Sequence, residues 1–312
     1  MAEAGPKSGL GVVVNFFVKS AADPSCDLIV ATTEVGLRCL AGYACIDEVL
    51  LVDGSEQPCE AMRSACAQVG VRYLHGGQRL SYVEAYNLGW RSLRYDIVGF
   101  MANDIIPEPA DTVDRLLAWV RQPGVGCTFP YMVSNRAHWD EVQRPGFLDR
   151  GAISCEPSTM TLNLNLIRRA LLEEIGGLDE NYRGGYQEPI LLSKLRGAGH
   201  RVVMVGGASV FHFDRLTKAV GQSEIGSETL DRDSERWFRE YPEHASERGL
   251  AGIRVWARPF STRRLQGWAW RLAAAVPYYP LRRRLIEVLL WLEPMMCRVR
   301  DLPDASRLQG GC

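Results

Sequence analysis

The amino-acid sequence predicts an α/β fold, in which helices flank a mostly parallel sheet, followed by a helical C-terminal extension. Strand-like runs alternate with helix-period segments through the first two thirds of the chain, which is the pattern of βαβ units. After residue 213, charged segments that contain tryptophan replace the strands. Because 312 residues exceed the usual size of one domain, we divide the chain into residues 8–213 and residues 214–312.

The predicted strands are short apolar runs that end in turn signals. They cover residues 11–17, 47–52, 71–74, 97–101, 159–166, 201–205 and 208–213. Helical periodicity predicts helices over residues 32–45, 80–93, 168–175 and 188–197. Residues 135–157 are polar and aromatic without a clear period, which is typical of a long loop that is either functional or disordered.

Composition and charge exclude several classes of protein. With 36 Lys and Arg against 37 Asp and Glu, the net charge of -1 gives no field that would attract nucleic acid. The nine cysteines include no C-x-x-C pair, so neither a zinc site nor a disulfide framework is predicted. No secretory pattern and no apolar run of membrane-spanning length are visible, and we therefore expect a cytoplasmic protein.

The C-terminal extension is basic and aromatic. Residues 262–300 hold eight Arg and two Glu together with tryptophans and tyrosines. This composition fits an amphipathic surface that rests on an anionic membrane, which would put the protein at the inner face of that membrane. It equally fits a helical subdomain or a homodimer interface whose Arg side chains face water.

Two predicted strands end in acidic residues at the same edge of the sheet. Asp53 follows the strand over residues 47–52, and Asn103 and Asp104 follow the strand over residues 97–101. Ligands of open parallel sheets bind beyond the carboxyl ends of the strands. We therefore expect the substrate to lie against these residues.

Several stretches, taken together, resemble the family 2 glycosyltransferases of the GT-A fold. They are VVVNFF, EVLLVDGSEQP, AYNLGWRSLRYDIVGFMANDIIPEP, and LIRRALLEEIGGLDENYRGGYQEPILLSKLRGAGHRV followed by SVFHF. The resemblance implies transfer of a sugar from a nucleoside-diphosphate donor, with UDP, GDP or dTDP as the carrier, to a hydroxyl acceptor. It also implies inversion at the anomeric carbon and assistance by Mg²⁺ or Mn²⁺.

The resemblance implies that four residues contact the nucleoside. Asn15 and Phe16 would wall the base at the end of the first strand, and the Asp53 carboxylate would accept a hydrogen bond from it. Asn87 would face the nucleotide from its helix. The alternatives are core packing for Phe16, a simple Asp-Gly turn for Asp53, and a solvent-facing helix position for Asn87.

The resemblance assigns further residues to the diphosphate, the cation and the sugar. Asn103 and Asp104 would contact the donor, and Asp104 with His212 would hold the cation. The family's D-x-D motif has become Ala102-Asn103-Asp104 here, similar to the Asn-Asp variant of the family. Asp179 would shape the glycine-rich turn before the catalytic helix and touch the donor sugar. A turn-shaping or capping Asp104 and a core His212 at a strand end are the alternatives.

Glu188 is the predicted general base that takes the proton from the acceptor hydroxyl. It stands at the second position of the family's Glu-Asp pair, with Gln187 at the first and Ile190 in place of a later Asp. Pro189 favours a helix that begins here, and the helix dipole would favour the ionised carboxylate. A capping or solvated glutamate is the alternative.

A catalytically inactive relative, serving as a binding or assembly module, is the alternative function. Ala102, Gln187 and Ile190 motivate it, because each stands where many active members of the family carry an acid. Turnover of a nucleotide sugar would discriminate the two functions.

Overall fold

One mixed sheet organises the protein. The computed structural model describes residues 6–21, 23, 25–108, 110–133, 152–153, 162–212 and 227–241. Within these ranges the strands are β1 (Lys7–Phe16), β2 (Glu48–Asp53), β3 (Arg72–His75), β4 (Tyr95–Ala102), β5 (Ile105–Glu108), β6 (Val125–Val133), β7 (Ala152–Ile153), β8 (Asn165–Arg168) and β9 (Arg201–His212). Their order across the sheet is β3-β2-β1-β4-β8-β6-β9-β5, and β7 pairs with β9 outside this path.

The first half of the sheet is parallel, as predicted. β1 lies between β2 and β4 and is parallel to both, and β2 is parallel to β3. β8 is antiparallel to β4 and to β6, whereas β6 and β9 are parallel to each other. The carboxyl ends of β1, β2 and β4 therefore share one edge, where ligands of such sheets bind.

Helices cover both faces of this sheet. The helices in the described residues are α1 (Ser25–Ala41), α2 (Glu60–Val69), α3 (Tyr82–Ser92), α4 (Thr112–Val120), α5 (Arg169–Ile175), α6 (Gln187–Gly197) and α7 (Ser227–Glu240). Along β1, Val12 and Val14 pack in the core shared with α1, α2 and α4, whereas Val13 packs in the core shared with α3, α5 and α6. Strands buried on both faces read as continuous apolar runs, which is why the sequence identified β1.

Two features position helix α3, which carries Asn87: a capping box at its N-terminus and close packing of Gly89 on the sheet. The Ser81 hydroxyl accepts a hydrogen bond from the Glu84 N–H, and the Glu84 carboxylate accepts one from the Ser81 N–H, which is a capping box. A Cβ atom at Gly89 would lie 2.3 Å from Val13 Cγ1, so α3 packs directly on β1.

The structure corrects several predicted elements. The helix predicted over residues 32–45 is α1, Ser25–Ala41, and the strand predicted over residues 159–166 is β8, Asn165–Arg168. The two strands predicted over residues 201–205 and 208–213 are one strand, β9. Helices α2 and α4 and strands β5, β6 and β7 were not predicted from the sequence, and β7 lies within residues 135–157, which were predicted to be a loop.

Much of the predicted loop and of the C-terminal extension lies outside the described residues. Of residues 135–157, the structure describes 152–153, and of residues 214–312 it describes 227–241. The membrane and homodimer hypotheses for residues 262–300 therefore stay predictions. In the part of the chain that the structure describes, no helix is long and apolar enough to cross a membrane.

Candidate active site

Three adjacent strands end side by side at the predicted substrate edge. Asn15 is in register with Val52 and with Ala102, and Phe16 is in register with Asp53. The amide oxygen of Asn15 is buried and has no hydrogen-bond partner among the described residues. Because buried polar atoms are nearly always hydrogen-bonded, this oxygen is an acceptor that a bound ligand could satisfy.

The Asp53 carboxylate is fully buried and is bound by the chain itself. Its Oδ1 accepts a hydrogen bond from the Ser55 N–H at 2.9 Å, and its Oδ2 accepts one from the Cys59 N–H at 2.9 Å and one from the Tyr73 phenol. Burial, together with this carboxylate, raises the pKa of Tyr73. We therefore assign Asp53 to shaping the loop after β2, and its contact with a donor base stays a prediction.

The two phenylalanines at the end of β1 differ in their surroundings. Phe16 is 1% exposed and packs in the hydrophobic core. The structure therefore supports the alternative of core packing and corrects the predicted stacking of Phe16 on a base. Phe17 is half-buried, and the Arg79 guanidinium lies 5.6 Å from its ring centroid.

Asp104 and His212, the predicted cation residues, lie together. Ile105 of β5 pairs with His212 of β9, which brings the turn after β4 to the end of β9. His212 Nε2 lies 3.5 Å from Asp104 Oδ2, and the two side chains are 16% and 11% exposed. Asn103 precedes Asp104 in the same turn and is 9% exposed.

The donor set of this pair fits a divalent cation. Adjacent ligands of an octahedral Mg²⁺ or Mn²⁺ ion, each about 2.1 Å from the ion, lie about 3 Å apart. The 3.5 Å separation of Asp104 Oδ2 and His212 Nε2 is close to that spacing. The described residues contain no group of three or more His, Cys, Asp or Glu that could hold a metal ion.

Glu188 lies in the first turn of α6, beside a strained residue. Tyr186, two residues earlier, has a left-handed backbone with φ 66°, a conformation that is uncommon outside glycine and concentrates at functional sites. Burial raises the pKa of the Glu188 carboxyl group, although backbone N–H groups of Glu188 and Leu162 oppose the rise. Burial thus outweighs these two hydrogen bonds, and a raised pKa suits a carboxylate that must accept a proton.

Tyr86 of α3 feels the charges of both Glu188 and Asp104. Burial raises the pKa of Tyr86 well above its ordinary value, and the charges of Asp104 and Glu188 both add to the rise. The Tyr82 ring meets the Tyr86 ring edge to face at 6.4 Å, and the Glu188 charge acts on Tyr82 as well. One side chain therefore lies within electrostatic reach of both the cation residue and the candidate base. Neither tyrosine was singled out in the sequence, although their i, i+4 spacing puts them on one helix face.

Buried amide hydrogen bonds hold the turn before α6. Gln187 Nε2 donates to the carbonyl oxygens of Asp179 at 2.6 Å and Tyr182 at 2.7 Å, and its Oε1 accepts from the Asp179 N–H at 3.2 Å. An ionised glutamate could not make the two donations, so this geometry requires glutamine. The Asp179 carboxylate accepts hydrogen bonds from the backbone and side-chain amides of Asn181, which confirms the predicted turn role. The contact of Asp179 with the donor sugar stays a prediction.

Asn87 is bound to this same turn and to Trp90 of its own helix. Its Nδ2 donates to Leu178 O and Glu180 Oε1, and its Oδ1 accepts from the Leu178 N–H and the Trp90 indole N–H. These four bonds use the full capacity of the carboxamide, and Asn87 is 1% exposed. The close approach requires Gly177, where a Cβ atom would lie 2.7 Å from Asn87 Oδ1. The structure therefore corrects both the predicted contact of Asn87 with the nucleotide and the solvent-facing alternative. Asn87 instead joins α3 to the turn.

Comparison with known proteins matches part of the chain to one family. Residues 37–176 match the profile of Glycosyl transferase family 2. No curated protein matches the chain in sequence.

Two solved structures share the fold. The mannosyltransferase PcManGT from Pyrobaculum calidifontis, in complex with GDP-Man and Mn²⁺, is 16% identical with a TM-score of 0.50, covering 94% of this chain and 87% of that chain. TarS from S. aureus is 11% identical with a TM-score of 0.50, covering 92% of this chain and 53% of that chain. At these identities the likeness shows the fold alone. The family match over residues 37–176 and the mixed sheet shared with these two structures together support a family 2 glycosyltransferase of the GT-A fold, a class that uses nucleotide-sugar donors.

Proposed function

We propose that the protein transfers a sugar from a nucleoside-diphosphate donor to a hydroxyl acceptor with inversion at the anomeric carbon, assisted by Mg²⁺ or Mn²⁺. The observation that carries the proposal is the grouping of three residues. Asp104 and His212 lie 3.5 Å apart, and Asp104 and Glu188 both act on Tyr86. Carboxylates near one site, with different surroundings, suit separate roles in catalysis.

The residues of the turn after β4 would bind the diphosphate end of the donor. Asp104 would offer a carboxylate oxygen to the cation, and His212 would offer its Nε2. When bound, the cation would stabilise the negative charge that develops on the leaving diphosphate. Asn103 would contact the donor from the same turn, and the unpartnered Asn15 oxygen would accept a hydrogen bond from it. The mannosyltransferase of this fold was solved with GDP-Man and Mn²⁺, which makes that pair the first to test.

Glu188 would act on the acceptor. Its carboxylate would take the proton from the acceptor hydroxyl as that oxygen attacks the anomeric carbon, and would later pass the proton to water. The raised pKa of Glu188 makes it a better proton acceptor than an exposed glutamate. The turn held by Gln187 and Asn87 leads into α6 and would fix the position of the carboxylate.

Turnover by the full chain tests this function. The protein is incubated with UDP-, GDP- and dTDP-sugars and Mn²⁺, and release of nucleoside diphosphate is measured with and without candidate hydroxyl acceptors. We expect turnover of at least one donor. Glu188→Gln should lower kcat by about 10²- to 10⁴-fold, the usual contribution of a general base, while donor affinity stays the same.

Glu174→Gln is the matched control, because Glu174 is exposed on α5 and should not affect turnover. Wild-type kcat in Glu188→Gln would remove the assignment of the base. Tight donor binding without release of nucleoside diphosphate, with every donor and acceptor, would favour the inactive module.

A further inference from the structure

Helix α7 contacts the segment that leads into α6, and both lie outside residues 37–176, which match the family. The Asp233 carboxylate accepts hydrogen bonds from the Gly184 N–H at 2.6 Å and from the Gly185 N–H at 3.1 Å. Asp233 is 2% exposed. A buried carboxylate is costly unless hydrogen bonds compensate its charge. The hydrogen bonds from these two backbone amides provide that compensation for Asp233.

An aromatic side chain of the same helix holds the next residue. Trp237, one helical turn after Asp233, is 1% exposed and stacks on the Tyr186 ring with a centroid distance of 5.9 Å and an interplanar angle of 25°. It also packs against Tyr182 and Ile190. Tyr186 is the residue with the left-handed backbone, and such a conformation persists only where its surroundings fix it.

We propose that α7 is a positioning element for Glu188, with Asp233 as its principal residue. Asp233 fixes the backbone of Gly184 and Gly185, Trp237 fixes the ring of Tyr186, and together they set the direction in which α6 begins. The inference rests on the proposed role of Glu188 as the base. Without the carboxylate, two consecutive glycines would sample other conformations and the Glu188 carboxylate would move with them.

The far end of α7 provides a matched control. The Tyr182 hydroxyl donates a hydrogen bond to Glu240 Oε2 at 2.7 Å, which docks the helix without contacting the Gly184 and Gly185 amides. Glu240→Gln therefore weakens the attachment of α7 and leaves the Asp233 contacts in place. If α7 had a purely structural role, substitutions of Asp233 and of Glu240 would have similar effects on kcat. If α7 positions Glu188, only substitutions of Asp233 should lower kcat.

The test compares Asp233→Ala, Asp233→Asn and Glu240→Gln in the full chain. Asp233→Ala should lower kcat by about 10²-fold, because a displacement of about 1 Å at a reacting group has an effect of that size. The KM for the donor should stay unchanged, because the residues given to the donor and its cation under the proposed function lie at the ends of β1, β4 and β9. Asp233→Asn keeps an acceptor oxygen and should recover most of kcat, and Glu240→Gln should keep wild-type kcat.

Amide hydrogen exchange provides a readout that does not depend on turnover. Exchange at Gly184 and Gly185 should be faster in Asp233→Ala than in the wild type, and unchanged in Glu240→Gln. Unchanged kcat and unchanged exchange in Asp233→Ala would overturn the inference, as would an equal loss of kcat in Glu240→Gln. If the wild type turns over no donor, the proposed function fails, and the exchange experiment still decides whether Asp233 fixes this backbone.

A milder variant covers the case in which Asp233→Ala does not fold. Asp233→Glu keeps the charge and shifts the carboxylate by one methylene group, and we expect kcat to fall about tenfold, since small displacements suffice to lower turnover. Wild-type kcat together with wild-type exchange at both glycines in this variant would overturn the inference.

Discussion

Replacing Gln187 by glutamate would exchange a hydrogen-bond donor for an acceptor at a site that is 0% exposed. The Gln187 amide nitrogen donates to the carbonyl oxygens of Asp179 and Tyr182 at 2.6 and 2.7 Å. Each buried group left without its partner costs about 1–3 kcal/mol, so the two carbonyls together cost about 2–6 kcal/mol. We expect the free energy of unfolding to fall by about 4 kcal/mol at neutral pH, the centre of that range.

The destabilisation by Gln187→Glu should depend on pH. Burial without a cation raises the pKa of the introduced carboxyl group, and the protonated group can still donate one hydrogen bond. The folded protein then binds this proton more tightly than the unfolded chain does. Stability is therefore highest below the unfolded-state pKa of the group and is lost as the pH rises through its folded-state pKa.

Urea unfolding followed by tryptophan fluorescence, at about pH 5 and at about pH 8, measures this difference. Gln122→Glu makes the same chemical change at an exposed position and should alter the free energy of unfolding by less than about 0.5 kcal/mol. Wild-type stability of Gln187→Glu, or a loss that does not change with pH, would refute the reasoning.

Two further predictions concern Glu188 and Asn87. The value of kcat should fall as the pH is lowered through the raised pKa of Glu188, because the base must be ionised. The pH dependence of kcat measures this. A fall in kcat centred at or below pH 4.5, the ordinary pKa of a glutamate, would contradict the prediction. Asn87→Ala should lower the free energy of unfolding by about 3 kcal/mol in urea titrations, because the Trp90 N–H and both backbone groups of Leu178 lose their partner. A loss below about 1 kcal/mol would mean that these groups find other partners.

The alternative of an inactive module rested on three positions that lack an acid. Gln187 makes two donations that an ionised acid could not make. Ile190 is 1% exposed and packs with Trp237 and Tyr182, where an acid would be buried without a partner. Packing and hydrogen bonding thus explain two of the three substitutions, and they weaken the motive for the alternative.

The parallel half of the sheet could be predicted because its strands are continuous apolar runs that end in turn residues. β6 was missed because Pro130 interrupts the pattern, and a proline usually argues against a central strand. In the structure, the pairing of β6 with β9 shifts register between Phe129 and Tyr131, and this irregularity accommodates the proline. The matching irregularity in β9 contains Gly207, which has φ 79°. Because a glycine in a strand pattern is a turn signal, the sequence predicted two strands where the structure has one.

The resemblance implied that Asp104 and His212 lie together, whereas the partners of the other site residues could not be predicted from the sequence. Asp104 and His212 come together through the antiparallel pairing of β5 with β9, and β5 is a four-residue strand that contains a proline. Asp53 is bound by Tyr73, which is 20 residues away along the chain. Asp233 binds amides 48 and 49 residues away, and no local pattern carries that information.

The most direct test is a crystal structure of the protein soaked with Mn²⁺ and the nucleoside diphosphate that binds most tightly. We expect an anomalous manganese peak bound by Asp104 and His212, with the diphosphate on the same ion and Glu188 facing the position of the sugar. A manganese ion and nucleotide bound away from Asp104, or a Glu188 carboxylate directed away from the diphosphate, would contradict the proposed catalytic arrangement.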